Sequence, residues 1–126
     1  MSRIVDSRTV LAVRDLRAST AFFIDALGFR QDSGDGSGGW SFLSRDAFKV
    51  MLGECPDERP AAELGDHAYV AYLTVDDIDE FHEELVRRGV TTLNVPTDEP
   101  WGLREFGLRT PDGHRIRFGQ PLVAAS

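Results

Sequence analysis

The hydrophobic positions near the start of the chain change from the spacing of a strand to the spacing of a helix. Residues 9–13 are rich in strand-forming side chains, and the hydrophobic residues that follow recur at helical spacing. Asp15 precedes this helical pattern and Gly28 follows it, as is typical of the start and the end of a helix. The pattern predicts a strand followed by a helix.

The same order of elements returns in the second half of the chain. Residues 69–75 form another run of strand-forming side chains. Asp77 and Glu80 then form a capping box ahead of a helical pattern that ends at Gly89. A second strand and helix are therefore predicted here.

Three short strand-like runs follow each predicted helix. They comprise residues 29–32, 40–43 and 48–52 in the first half, and residues 91–95, 104–109 and 115–118 in the second. Each half reads βαβββ, and a repeat of about sixty residues indicates two similar modules. We predict one domain over residues 1–126, with module 1 at about 8–53, a connector at 54–66 and module 2 at about 67–119.

Alternation along the last strand of each module separates two faces. A four-stranded sheet with one helix covers only one face, and pairing two such modules would turn the open faces into a cup. The predicted helix-covered residues are Val50, Leu52, Ile116 and Phe118. The predicted cup-facing residues are Lys49, Met51, Arg115 and Arg117.

Composition narrows the class of protein. The 126 residues include 41% hydrophobic residues, enough for one globular core, and 14 basic against 21 acidic residues give a net charge of −7. This charge disfavours nucleic acid as a partner; it fits either solubility or attraction of cationic ligands. Cys55 is the only cysteine, which excludes an intrachain disulfide, and no apolar run is long enough to span a membrane. We expect a cytoplasmic protein.

Several motifs resemble the glyoxalase/bleomycin-resistance/dioxygenase proteins, the vicinal oxygen chelate superfamily. They are Val-Arg-Asp-Leu at 13–16, Ala-Phe-Phe-Ile-Asp-Ala-Leu-Gly-Phe at 21–29 and Thr-Pro-Asp-Gly-His-Arg-Ile-Arg-Phe-Gly-Gln at 110–120. Residues 98–106 look most like the bleomycin-resistance branch, whose members hold an antibiotic in grooves of a strand-swapped homodimer. The resemblance implies an α+β fold of two βαβββ modules forming cup-shaped mixed sheets, and a homodimer.

The same resemblance bears on metal binding. Metal-dependent members hold a divalent ion with His, Glu or Gln side chains at four cup-facing strand positions. The corresponding positions are Arg8, Met51, Val70 and Arg117. Arginine has no lone pair to offer and valine has no donor atom, so the expectation is a protein without a metal or other cofactor.

Aromatic residues in loops or beside them are the best candidates for a ligand site. Trp40 and Phe42 follow a glycine-rich segment, and Trp101 lies in a Pro-Trp-Gly loop. Such side chains either stack on a flat ligand or belong to the core, and the sequence leaves both open. The predicted ligand-binding residues are Trp40, Phe42, Lys49, Met51, His67, Tyr72, Glu99, Trp101, Gly102, Arg115 and Arg117.

Three functions fit these observations. The favoured one is a binding protein without catalytic residues or metal, which sequesters a bulky planar or cationic antibiotic-like natural product and confers resistance. The alternative is a metal-dependent lyase, isomerase or dioxygenase of the same fold, with ligands at other positions. A structural or regulatory protein with an empty cup is the third.

Overall fold

A computed structural model describes residues 2–33 and 38–122, except for the side chains of residues 65–67. The chain divides into two units, one ending at Arg59 and one beginning at Pro60. The first unit contains β1 (Thr9–Val13), α1 (Leu16–Ala21), a π-helical turn (Phe22–Ala26), β2 (Arg30–Ser33), β3 (Trp40–Arg45) and β4 (Phe48–Glu54). The second contains a 3₁₀ helix (Ala61–His67), β5 (Tyr69–Thr74), α2 (Ile78–Arg87), β6 (Thr97–Asp98), β7 (Leu103–Arg109) and β8 (Arg115–Pro121).

The first unit is a four-stranded mixed sheet in the order β1-β4-β3-β2. β1 runs parallel to β4, and the other neighbours are antiparallel. Asp15 caps α1 by accepting a hydrogen bond from the Ala18 amide at 3.0 Å. Gly28 ends the helical segment with a φ of 76°, a conformation that glycine adopts without strain.

The second unit repeats this design in the order β5-β8-β7-β6, with β5 parallel to β8. Asp77 caps α2 by accepting a hydrogen bond from the Glu80 amide at 3.1 Å, and Gly89 follows the helix with a φ of 90°. The predicted order of strands and helices is therefore confirmed in both units. Each unit has four strands and one α-helix, and the second unit also has the 3₁₀ helix Ala61–His67.

The predicted alternation of faces is also found within each sheet. Val50 and Leu52 in β4, and Ile116 and Phe118 in β8, are buried. Their neighbours Lys49, Met51, Arg115 and Arg117 are only partly buried and project from the opposite side. We call that side the open face of each sheet.

One predicted strand is wrong. Residues 91–95 form no strand, and the two-residue β6 begins at Thr97 instead. The reason is that Asn94 bonds to β7 through its side chain, whose Oδ1 accepts a hydrogen bond from the Gly107 amide at 3.0 Å. Pro96 has no amide hydrogen to continue a backbone ladder. The segment is thus held to β7 by the Asn94 side chain and by a single backbone bond, from the Leu93 amide to the Gly107 carbonyl at 2.8 Å.

Candidate functional site

A pocket of about 610 Å³ lies on the open face of the second sheet. Its lining residues are Tyr69, Ala71, Tyr72, Trp101, Glu105 and Arg117. Tyr72, Trp101 and Arg117 were predicted from the sequence. Tyr69, Ala71 and Glu105 were not.

A bulge in β5 places two tyrosines on the same face. The pairing of β5 with β8 shifts between Tyr69 and Ala71, so that Tyr69 lies beside Arg115 and Tyr72 lies beside Arg117. Val70 falls at the shift and does not line the pocket. The cup-facing position expected for Val70 stays a prediction, because strict alternation does not hold across a bulge.

Glu105 is the centre of the site. Its side chain is 3% exposed and comes from β7, opposite Gly119. Its Oε2 accepts a hydrogen bond from the Tyr72 hydroxyl at 2.7 Å, and its Oε1 accepts one from Arg117 Nη1 at 3.0 Å. Trp101 also donates a side-chain hydrogen bond to this carboxylate. Three lining residues are thus held by one buried acid.

These contacts fix the protonation states of the pair. Burial pushes the pKa of Glu105 upward, but the hydrogen bonds from Tyr72, Trp101 and Arg117 and the charge of Arg117 hold it below its ordinary value. The pKa of Tyr72 is raised to about 12, mainly by burial and further by the hydrogen bond to Glu105 and the negative charge of that carboxylate. Glu105 is therefore a carboxylate and Tyr72 a neutral phenol that donates to it.

Gly119 makes room for Tyr72. A Cβ atom at Gly119 would lie 2.6 Å from Cζ of Tyr72 and closer still to its hydroxyl oxygen. The tyrosine ring therefore lies directly over the glycine. The first unit repeats this arrangement, because a Cβ atom at Gly53 would lie 2.9 Å from two carbons of the Trp40 ring.

Trp101 is a surface residue of the loop between β6 and β7. Its exposed fraction is 61%, which excludes the core alternative. A turn shapes this loop, since the Gly102 amide donates to the Glu99 carbonyl at 3.1 Å and Gly102 has a φ of 88°. Neither Glu99 nor Gly102 lines the pocket. Their contribution in the described structure is to the turn that presents Trp101.

The candidates in the first unit share the open face of its own sheet. Trp40 pairs with Gly53 and Phe42 pairs with Met51 across β3 and β4. The Arg8 guanidinium lies 5.5 Å from the centre of the Phe42 ring. Lys49 forms an ion pair with Asp6 at 2.7 Å. These residues do not line the pocket described above.

The two histidines whose side chains the structure describes, His82 and His114, do not line the pocket. The His67 side chain lies outside the described residues. His82 lies 3.1 Å from the Thr92 hydroxyl and makes an edge contact with the Phe106 ring. His114 is buried beside Thr110, and burial lowers its pKa. His82 is therefore partly buried against the Phe106 ring and lies away from the pocket.

Comparison with known proteins identifies the family. Residues 7–118 match the sequence model of the Glyoxalase/Bleomycin resistance protein/Dioxygenase superfamily. The chain belongs to this superfamily. The family and the α+β fold predicted from the sequence motifs are thereby confirmed.

Two members of the glyoxalase/bleomycin-resistance superfamily match most of the chain. The bleomycin resistance protein of Geobacillus stearothermophilus is 25% identical over 131 residues, covering 94% of this chain and 98% of that protein. The bleomycin-binding protein of bleomycin-producing Streptomyces verticillus, solved with copper(II)-bleomycin, is 28% identical with a TM-score of 0.70, covering 94% of this chain and 97% of that chain. The predicted likeness to the bleomycin-resistance branch is confirmed.

A further member of the superfamily shows the fold alone. A glyoxalase/bleomycin resistance protein/dioxygenase from Nocardioides has a TM-score of 0.75 at 22% identity, covering 100% of this chain and 89% of that chain.

In the described part of our chain, no helix has the length and apolar content needed to cross a membrane.

The side chains at the superfamily's metal positions do not fit a divalent ion. Arg8 is bound to protein atoms: its Nη1 donates to the Val50 carbonyl at 2.9 Å, and its Nη2 pairs with Asp32 at 3.2 Å. Arg117 pairs with Glu105 at 3.0 Å. Among the described side chains, those of residues 2–33, 38–64 and 68–122, no group of three or more His, Cys, Asp or Glu residues is arranged to hold a metal.

Proposed function

We propose that the chain is a non-catalytic binding protein that sequesters a planar or cationic antibiotic-like natural product. The observation that carries this proposal is the cluster of exposed aromatic rings around the pocket: Trp101 at 61%, Tyr72 at 44% and Tyr69 at 42% exposed. Exposed rings offer large stacking surfaces to a flat ligand at a small cost in side-chain entropy. By holding the compound, the protein would keep it from its target and confer resistance.

The kinship supports the same function. Relatives that match 94% of this chain are named bleomycin resistance protein, and one solved relative is named bleomycin-binding protein. The pocket chemistry agrees with binding, since its carboxylate is buried and already accepts hydrogen bonds from Tyr72 and Arg117. A general base must come within hydrogen-bond reach of its substrate, whereas the oxygens of Glu105 are already engaged by side chains of the protein.

Trp101→Ala tests the binding function. Trp101 is exposed, but its indole donates a hydrogen bond to the buried Glu105 carboxylate, so we expect its loss to lower the free energy of unfolding by about 1.5 kcal/mol. Stacking on one aromatic side chain contributes roughly 1–3 kcal/mol, so affinity for a stacked ligand should fall about tenfold or more. Isothermal titration calorimetry with bleomycin measures the affinity of each protein. The melting temperature of each protein measures its stability.

Val95→Ala is the matched control, because Val95 is an exposed side chain of the same unit that does not line the pocket. It should leave both affinity and melting temperature unchanged. Equal affinity of the Trp101→Ala variant and the parent protein would contradict stacking on Trp101.

We also propose that the protein works without a metal, because the superfamily's ligand positions hold Arg8, Met51, Val70 and Arg117. Protein purified without a histidine tag should contain less than stoichiometric Zn, Ni, Mn or Fe by elemental analysis. EDTA should leave its melting temperature unchanged. A stoichiometric metal whose removal lowers the melting temperature would favour the lyase, isomerase or dioxygenase alternative.

A homodimer is the proposed assembly, with strand-swapped modules as in the bleomycin-resistance branch. Both sheets are open, with β1 and β5 at their edges, and Val10 on β1 is exposed. Open edges and exposed apolar side chains favour pairing with a second chain. Light scattering at micromolar concentration should give the mass of two chains, and the mass of one chain would refute the dimer.

A further inference from the structure

We propose that the ligand directs an anionic oxygen at this pocket, a carboxylate or phenolate on its flat ring, rather than a cationic amine. This inference rests on the proposed binding function and narrows its ligand class. It follows from which half of the Glu105–Arg117 ion pair a ligand can reach.

The two charges of this pair are unequally exposed. The Glu105 side chain is 3% exposed, whereas that of Arg117 is 31% exposed. An entering ligand therefore meets the guanidinium and not the carboxylate. A cationic amine could reach Glu105 only by displacing Arg117, which would leave a buried charge without its partner.

The hydrogen-bond donors of the pocket point to the same class. The hydroxyl of Tyr72 and the indole N–H of Trp101 donate to Glu105 and are therefore occupied. The hydroxyl oxygen of Tyr69 accepts from Arg117 Nη2 at 3.2 Å, which leaves its own hydrogen available. Arg117 uses one N–H of Nη1 and one of Nη2 in these contacts, and its Nε is buried, so one N–H on each Nη remains for a ligand. What the pocket can still offer is donors, and these bind an acceptor oxygen.

A second guanidinium adds positive charge beside the pocket. Arg115 lies 4.6 Å and Arg117 lies 5.6 Å from the centre of the Tyr69 ring. Among the described lining residues Glu105 is the only acid. The surroundings of Tyr69 therefore favour an anion, although the whole chain carries a net charge of −7.

Two probes with the same ring system and opposite charge test the inference. They are 9-anthracenecarboxylate and 9-anthracenylmethylammonium, titrated at pH 7.5 and low salt while tryptophan fluorescence is followed. The carboxylate should bind roughly tenfold tighter or more, because a charge-assisted hydrogen bond replaces a like-charge contact. The preference should narrow at 0.5 M NaCl, since salt screens exposed charges.

Variants assign the preference to Arg117. Glu105→Gln with Arg117→Gln removes the pair without leaving either charge alone, and should remove most of the preference for the carboxylate probe. Arg117→Lys keeps the charge and should retain part of it. Arg104→Gln is the matched control, because Arg104 pairs with Asp79 and Asp98 in the same unit and does not line the pocket.

The possible outcomes separate this inference from the proposed function. If the ammonium probe binds equally well or tighter, with loss of affinity in Trp101→Ala, the anion inference is overturned and the binding function stands. A preference that is undiminished in the double variant also overturns the inference. If bleomycin and both probes fail to bind, both proposals fall.

Discussion

Replacing Glu105 by alanine should lower the free energy of unfolding by about 3 kcal/mol, the range measured when one partner of a buried ion pair is removed. The variant leaves Arg117, Tyr72 and Trp101 without their shared acceptor. Urea unfolding of both proteins at pH 7 measures the loss. Glu99→Ala is the control, since Glu99 does not line the pocket, and should change stability by less than about 0.5 kcal/mol.

The same carboxylate should make stability depend on pH in a defined direction. Because the folded-state pKa of Glu105 lies below its ordinary value of 4.5, its contribution is complete above that value. The contribution is lost as pH falls through the lower folded-state pKa. Glu105→Gln should therefore lose less stability than the parent protein on acidification below about pH 4.5. Parallel pH curves for both proteins would contradict a depressed pKa.

The two helices and most strands could be predicted because their signals are local. Asp15 and Asp77 cap their helices through contacts three residues away, and Gly28 and Gly89 end them. The period of two along β4 and β8 separates core from open face without knowledge of the partner strands. Those features therefore depend on neighbours that the sequence itself displays.

The features that were missed depend on contacts between distant residues. The bulge in β5 places Tyr69 in the pocket, and the run of strand-forming residues gives no sign of it. Glu105 is 12 positions from Arg117, and only the β7–β8 register brings them together. Alternation along β7 is enough to place Glu105 on the open face. It cannot show that Tyr72, Trp101 and Arg117 all donate to its carboxylate.

The ion pair explains why arginine stands at position 117. An arginine on the last strand, where metal-dependent members place a ligand, suggested an organic ligand as its partner. Its partner within the chain is Glu105, which accepts from Nη1 at 3.0 Å. The guanidinium thus stabilises the floor of the pocket, and its exposed part is what remains for a ligand.

The glycines at equivalent positions of the two units indicate what each sheet requires for its aromatic side chain. Gly53 lies under Trp40 and Gly119 lies under Tyr72, although the two rings come from different strands. A glycine in a strand interior weakens the strand, so its presence under a ring has a steric reason. The close approach of the ring supplies that reason.

Gly119→Ala should therefore move Tyr72 out of the pocket. The new methyl group would overlap the phenol, so the ring must rotate and give up its hydrogen bond to Glu105. Overpacking of this kind costs typically 1–3 kcal/mol of stability. Because Tyr72 would no longer line the pocket, affinity for the anthracene probes should change as well. Thermal melting and the probe titration measure the two effects.

Gly107→Ala separates this effect from the general consequence of adding a methyl group to the sheet. Gly107 lies opposite Arg117 on the neighbouring strand, and a Cβ atom there would meet nothing closer than 3.4 Å. The Gly107→Ala variant should have a melting temperature and a probe affinity closer to those of the parent protein than the Gly119→Ala variant has. If both alanine variants lost the same stability and probe affinity, this would contradict the claim that Gly119 is needed to make room for Tyr72.

A Gly119→Ala/Tyr72→Phe double variant sharpens the comparison, because it removes the hydroxyl that lies closest to the added methyl group. Stability should then recover part of the loss, whereas the hydrogen bond to Glu105 stays absent.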